Sequence, residues 1–328
     1  MIQDAVTMTA YSALLGIRLS GIFRLQICQF PISTACAKDI GWTVFALLIL
    51  HKVIRRRGRT LQVWLAALPQ PNQKGNLMKL TGNTILLTGG TSGIGRALAE
   101  ALHDRGNHVI VTGRRQALLD EMTSTRPGLV GLKVDVDDAA SLAQLSAQMR
   151  ERFPQLNVLI ANAGISRTED MVSDDWTATD AEAIVQTNIL GVLRVAAAIL
   201  PLLKGKPNAA FLATSSALAF VPRADFPTYC ASKAFLHSWL QSLRHQMRGF
   251  PIEVLELSPP YVQTGLTGAH QINDPRAMPL PDYVAEVLRM LENGATPRGE
   301  VVLERDLPRR WAERDGGYDA MFAVMNPT

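Results

Sequence analysis

The stretch TILLTGGTSGIGRALAE, residues 84–100, sets the terms on which the rest of the chain is read. TILLT (84–88) is a short, apolar, β-rich run that ends in the glycine turn TGGTSGIG (88–95). IGRALAEALHDRG (94–106) follows with apolar residues at 94, 97/98 and 101/102, the spacing of an amphipathic helix that Gly106 closes. Strand, glycine turn and helix in that order suit the pyrophosphate of a dinucleotide. Gly89 permits the tight turn, Gly93 lets the backbone approach the phosphates, and Gly95 allows close helix–strand packing. The helix start then offers its N–H groups to the anion. Thr91, Ser92 and Ile94 complete the expected phosphate-binding set. The plainer alternative is a glycine turn with no ligand.

The same alternation continues outward. HVIVT (108–112), LVGLKVD (129–135), NVLIANAG (157–164), AAFLATSS (209–216), IEVLELS (252–258) and GEVVLE (299–304) read as strands. Helical spacing covers about 138–152, 180–203 and 228–248. Alternating strands and helices predict an α/β fold: a Rossmann-like, doubly wound parallel sheet of about seven strands in a single domain, 78–328. In such sheets ligands bind at the carboxyl ends of the strands.

The end of the second strand bears on the cofactor. An acid there would hold the ribose 2′-hydroxyl of NAD, but the chain reads VIVTGRR (109–115). Arg114 and Arg115 suit a 2′-phosphate, so NADP(H) is the favoured cofactor and NAD(H) the alternative. Two solvated arginines at a helix start are the bland reading.

The formal charge of +4 invites a guess of nucleic-acid binding. Its distribution argues otherwise. Residues 1–77 carry nine Lys/Arg and two acids; residues 78–328 carry 24 basic and 27 acidic residues, with no basic stripe. No nucleic-acid partner is expected. Cys28, Cys36 and Cys230 show neither metal-ligand spacing nor a disulfide framework. No metal is expected, and a reducing compartment, the cytoplasm, is the simpler setting. In the basic N-terminal extension, WTVFALLIL (42–50) is too short to span a bilayer and precedes RRRGR (55–59), the reverse of a signal peptide. Met78 opens a complete start for the following domain, after the linker-like PQPNQKGN (69–76). Residues 1–77 are therefore expected to be partly disordered or the product of too early a start codon. A peripheral or membrane-attached segment is the alternative.

PTYCASKAF (227–235) places Tyr229 and Lys233 one helical turn apart, so both can face the same way. With TGGTSGIG, DV (135–136), NAG (162–164), Asn188, ATSSA (213–217), YCASK (229–233) and SPPYVQT (258–264) in order, residues 78–328 resemble the short-chain dehydrogenase/reductase family in its form of about 250 residues. The C-terminal part is most similar to the DltE-type subgroup of bacterial oxidoreductases. The resemblance implies hydride transfer between a nicotinamide and a carbonyl or alcohol carbon. Tyr229 would be the acid/base, and an ammonium at Lys233 would bring its phenol pKa down toward the working range. Ser216, with Ser215 as its neighbour and fallback, would orient the substrate oxygen. Asn188 would hold a water in a proton relay from Lys233. Asp135 and Val136 would meet adenine, and Asn162, Ala163 and Gly164 the ribose. Val262 and Thr264 would meet the carboxamide, and Pro259, Tyr229 and Lys233 would also touch the cofactor.

Two positions depart from the family pattern: Pro260 replaces a glycine and Ala161 an asparagine. Specificity is expected from 166–176, 218–226 and a mobile Gly/Pro-rich lid after Thr264, with Phe220, Phe226 and Tyr261 giving a partly apolar pocket. Asp174 and Asp175 read as a helix start before Trp176. A homodimer or homotetramer is expected through helices 180–203 and 228–248. The rival readings are a cofactor-sensing protein without catalysis and a membrane-attached scaffold built on residues 1–77.

Overall fold

A computed structural model describes residues 78–327 of the chain. The expectations for residues 1–77, including Cys28 and Cys36, lie outside the described residues.

Seven strands form one sheet in the order β3-β2-β1-β4-β5-β6-β7, and every pairing is parallel. They are β1 (Thr84–Thr88), β2 (His108–Gly113), β3 (Val130–Lys133), β4 (Leu156–Ala161), β5 (Ala209–Thr214), β6 (Ile252–Ser258) and β7 (Glu300–Val302). The helices are α1 (Gly93–Asp104), α2 (Gln116–Thr125), α3 (Ala139–Arg152), α4 (Thr179–Leu203), α5 (Pro227–Gln246), α6 (Leu280–Glu292), α7 (Leu307–Arg310) and α8 (Tyr318–Met325). The doubly wound sheet expected from the sequence is the one observed.

Strand periodicity builds both faces. On β1, Ile85 and Leu87 enter a core with Leu98 and Leu102 of α1 and Tyr283 and Val287 of α6. Leu86, between them, enters the opposite core with Leu145 of α3, Val195 of α4, Phe211 of β5 and Leu240 of α5. Every residue of β4 and β5 is buried, which explains why those strands read as continuous apolar runs.

By length and composition α4 could cross a membrane, but half of its most apolar window is buried within the protein, as in a core helix. Its middle, Val185–Gly191, widens into a π-helical segment that the sequence spacing did not reveal. The strand order reverses between β1 and β4, and the crevice at their carboxyl ends is where such a sheet receives ligands.

Three expectations change. β4 ends at Ala161 and β5 at Thr214, so NAG and both serines lie in the loops beyond. Asp174 and Asp175 lie in an exposed turn, and the helix begins at Thr179. The segment after Thr264 is also tied down rather than loose. Gln271, 3% exposed, donates to the Val262 carbonyl at 2.7 Å and accepts from the Thr267 N–H at 2.9 Å. Asp274 takes the Tyr261 hydroxyl at 3.1 Å and the Arg276 guanidinium at 2.7 Å.

Candidate active site

A cavity of about 510 Å³ opens at the reversal point. The glycine turn forms its floor. Gly89 has φ +66, and a Cβ there would stand 2.6 Å from the Ala163 Cα. Gly93 has φ +53, which only glycine adopts readily. A Cβ on Gly95 would collide with the Gly89 carbonyl oxygen and Asn162 Nδ2. No side chain caps α1, so its first N–H groups stay available to an anion. This floor fits a dinucleotide pyrophosphate.

Thr91, Ser92 and Ile94 line the same floor. Arg114 and Arg115 are exposed at its edge, and Arg115 Nη2 donates to Thr91 Oγ1 at 3.0 Å and Ser92 Oγ at 2.8 Å. A guanidinium is thus already positioned beside the turn, where a 2′-phosphate would need it. Asp135 and Val136 line the cavity nearby, with Asp135 Oδ1 accepting from the Asp137 N–H at 3.0 Å. Pro259, Val262 and Thr264 line it from the far side.

A chain of hydrogen bonds joins the floor to Lys233. Asn162 Nδ2 donates to the Gly89 carbonyl at 3.2 Å, and Thr214 Oγ1 donates to Asn162 Oδ1 at 3.1 Å. Lys233 Nζ donates to the Thr214 carbonyl at 2.8 Å. The Thr88 hydroxyl accepts from the N–H groups of Asn162 at 3.1 Å and Ala163 at 3.3 Å. Thr88 and Thr214 were not singled out in the sequence; each is a buried threonine at the end of a strand, and that position is the signal.

Ser216, Tyr229 and Lys233 also line the cavity, 6%, 7% and 4% exposed. A Cβ on Gly164 would stand 3.3 Å from Asn188 Oδ1 and 3.4 Å from Lys233 Nζ, so the NAG turn passes close to both side chains. The two serines part company. Ser216 stays at the cavity, while Ser215 turns inward and donates to Glu256 Oε1 at 2.5 Å.

Two expected roles change in detail. Lys233 Nζ lies 5.6 Å from the Tyr229 ring centroid, and in the protein by itself burial dominates the phenol. Burial pushes Tyr229 up to about 12, opposed by the Ser216 hydroxyl. The same burial pushes Lys233 down to about 8. Asn188 is fully buried with its side chain engaged. Its Oδ1 accepts the Ile165 N–H at 2.8 Å, and its Nδ2 donates to the Ile165 carbonyl at 2.9 Å and Ser232 Oγ at 3.1 Å.

Of the aromatics expected around the substrate, Phe220 lies elsewhere. It lines a second cavity against α8 and packs edge-on to His237 at 5.1 Å. The short 3-10 turn Ala217–Ala219 swings it away. Phe226 and Tyr261 do not line the main cavity either.

Behind Ser215, His237, Glu256 and Glu300 bring ligand-type atoms within 4.8 Å of one another. Their charges are met by the protein. His237 Nδ1 lies 2.8 Å from Glu256 Oε2, and Arg310 grips Glu300 at 2.7 and 3.0 Å. Burial pushes Glu256 up, yet His237 and Ser215 more than offset it, so its carboxyl ends below the ordinary range.

Comparison with known proteins agrees with this fold. The profile of a family described as short chain dehydrogenase matches residues 83–274. An uncharacterized oxidoreductase, DltE, of Bacillus subtilis (strain 168) is 37% identical over 253 residues, 76% of this chain and 98% of its own length. A solved short-chain dehydrogenase from Sphingobium yanoikuyae, in complex with NADPH, is 25% identical with a TM-score of 0.63, covering 74% of this chain and 95% of that one. A second, from Burkholderia cenocepacia J2315 in complex with NADP, has a TM-score of 0.64 at 24% identity, covers 75% and 99%, and supports the fold.

Proposed function

The chain belongs to the short-chain dehydrogenase family, and on that footing we propose that it is an NADP(H)-dependent oxidoreductase acting on a small carbonyl or alcohol substrate. The observation that carries this reading is the meeting of Tyr229, Lys233 and Ser216 in the cavity floored by the glycine turn. A bound nicotinamide would supply or accept the hydride.

The residues divide the remaining work. The Ser216 hydroxyl and the Tyr229 phenol receive the substrate oxygen. With its pKa near 12, Tyr229 is protonated at neutral pH and ready to give that proton as the oxygen gains charge. Lys233 would hold a ribose hydroxyl through its Nζ, and its charge would steady the phenolate left behind. Asn188 holds the loop at Ile165 and the widened turn of α4, and that turn orders the water that returns a proton to Lys233. Gly89, Gly93 and Gly95 with Thr91, Ser92 and Ile94 hold the pyrophosphate, and Arg114 and Arg115 hold the 2′-phosphate. Asp135 and Val136 meet adenine, Asn162 to Gly164 the ribose, and Pro259, Val262 and Thr264 the carboxamide.

Kept together, the buried tyrosine and lysine favour an enzyme over a cofactor-sensing protein, which needs neither. A homodimer or homotetramer is supported by apolar side chains left exposed on two helices, Val185 and Leu190 on α4 and Phe235 on α5. The free thiol of Cys230 supports a reducing compartment, and so the cytoplasm. The test is NADPH and NADH oxidation over a panel of aldehydes and ketones. Tyr229→Phe should abolish turnover while keeping NADPH binding. A variant that reduced its substrate at the parent rate would refute the mechanism.

A further inference from the structure

The segment after β4 meets the helix that carries Tyr229 at two points, by proximity at one and by hydrogen bonds at the other. Gly164 abuts Lys233 at one end. At the other end Glu169, 9% exposed, accepts the Thr228 N–H at 3.0 Å and the Thr228 hydroxyl at 2.9 Å. The bonds at Glu169 have a clear cause. Helix α5 opens on Pro227, which has no N–H, and no residue at its start caps it. Thr228 offers the first free helical N–H, and a carboxylate there also meets the positive end of the helix dipole. The Glu169 N–H closes the join on the Asp225 carbonyl at 3.1 Å. Thr228 and Lys233 are five residues apart, about 7.5 Å of helix rise. Residues 165–168 therefore run alongside Tyr229.

Arg167 lies in that run and lines the cavity with Ser216 and Tyr229. The other lining cations are used: Arg114 and Arg115 stand by the glycine turn, and Lys233 is buried on Thr214. The lining acids, Asp135 and Asp137, lie beyond β3, away from Tyr229. Arg167 Nη1 donates to the Ser166 carbonyl at 2.8 Å, which orients the guanidinium. Asp180 is 3.9 Å from its Nε, with both side chains about half exposed, a pairing that solvent screens to little. Among the described residues, Nη2 has no protein acceptor.

We infer that Arg167 is the anion anchor of the substrate site, and that the substrates are carbonyl compounds bearing a carboxylate, or the matching hydroxy acids. This rests on the function proposed above. The planar guanidinium fork suits the edge of a carboxylate and can pair with it twice. A carboxylate held there would orient the substrate while its carbonyl meets Tyr229.

The full chain is assayed with NADPH on aldehyde acids of increasing length, from succinic semialdehyde upward, each beside its uncharged methyl ester. The acid of the best pair should be favoured at least 10-fold in kcat/KM. Arg167→Gln should raise its KM at least 10-fold, leave kcat and the ester KM within about twofold, and Arg167→Lys should recover part of the loss. A parent that treats acids and esters alike, or a variant that loses both equally, overturns the assignment. A second readout needs no turnover. Calorimetry of dicarboxylates of the same lengths, succinate first, with the NADP⁺-loaded protein should show binding that Arg167→Gln weakens at least 10-fold; no binding to the parent overturns the anchor. Undiminished turnover in Tyr229→Phe would refute the proposed chemistry and leave the anion result standing by itself.

Discussion

Replacing Lys233 by methionine should make the protein more stable and inactive. Lys233 is 4% exposed, and burial pushes its pKa from 10.5 to about 8. A shift of that size corresponds to about 3 kcal/mol of differential interaction. The sign follows from linkage. Below pH 8 the lysine is protonated in both the folded and the unfolded chain, and the folded state carries the whole cost of a buried charge. As pH rises from about 8 to 10.5 the folded lysine is already neutral while the unfolded one still holds its proton, so the cost fades. Methionine removes the charge at similar length but forfeits the bond from Nζ to the Thr214 carbonyl, worth about 1 kcal/mol. The net gain at pH 7 is about 2 kcal/mol, a rise in Tm of about 4–8 °C for a domain of this size. Urea and thermal unfolding of parent and Lys233→Met from pH 6.5 to 10.5 give the comparison, with NADPH turnover measured in parallel. The advantage should shrink with pH and end slightly negative, while turnover falls about 100-fold. A variant less stable than the parent at pH 7, or a difference that ignores pH, would refute this account of the site.

Other substitutions test other parts of the cavity. Arg115→Ala should weaken NADPH binding about 10-fold, the low end for a charge-assisted bond at an exposed site, and change NADH binding less than about threefold by fluorescence titration; equal losses would contradict a 2′-phosphate role. Gly95→Ala drives a methyl into the Gly89 carbonyl and Asn162, so cofactor affinity should drop more than about 10-fold. Gly106→Ala, at φ +83 with open space around it, should cost only about 1 kcal/mol of stability and spare binding. The two serines should separate. Ser216→Ala should lower turnover about 100-fold with Tm nearly unchanged, whereas Ser215→Ala should cost about 1–3 kcal/mol by leaving buried Glu256 short of a bond, and affect turnover less.

What was legible in the sequence was whatever depends on local order. TILLT followed by TGGTSGIG announces a strand, a turn and a helix, and the sheet follows from repeating that unit. Tyr229 and Lys233 are one turn apart on any helix, so their shared direction could be read. Their depth could not, and depth reverses the expected shift of the phenol. IEVLELS hides Glu256 among apolar neighbours because its partners come from elsewhere: Ser215 in the loop after β5 and His237 on a helix. Phe220 was misassigned because three residues of 3-10 turn decide which side of the wall it faces. The π-helical turn around Asn188 adds a residue to a helical turn, and nothing in VQTNILG marks it.

The way the segment after β4 is held also says where this protein can change. Glu169 bonds the segment to the catalytic helix, and the Ile165 backbone bonds it to Asn188. The exposed side chains at 167 and 168 can therefore be exchanged while bonds on either side hold the backbone. Selection, or a designer, can retune the substrate in that window with the proton-transfer geometry left as it is.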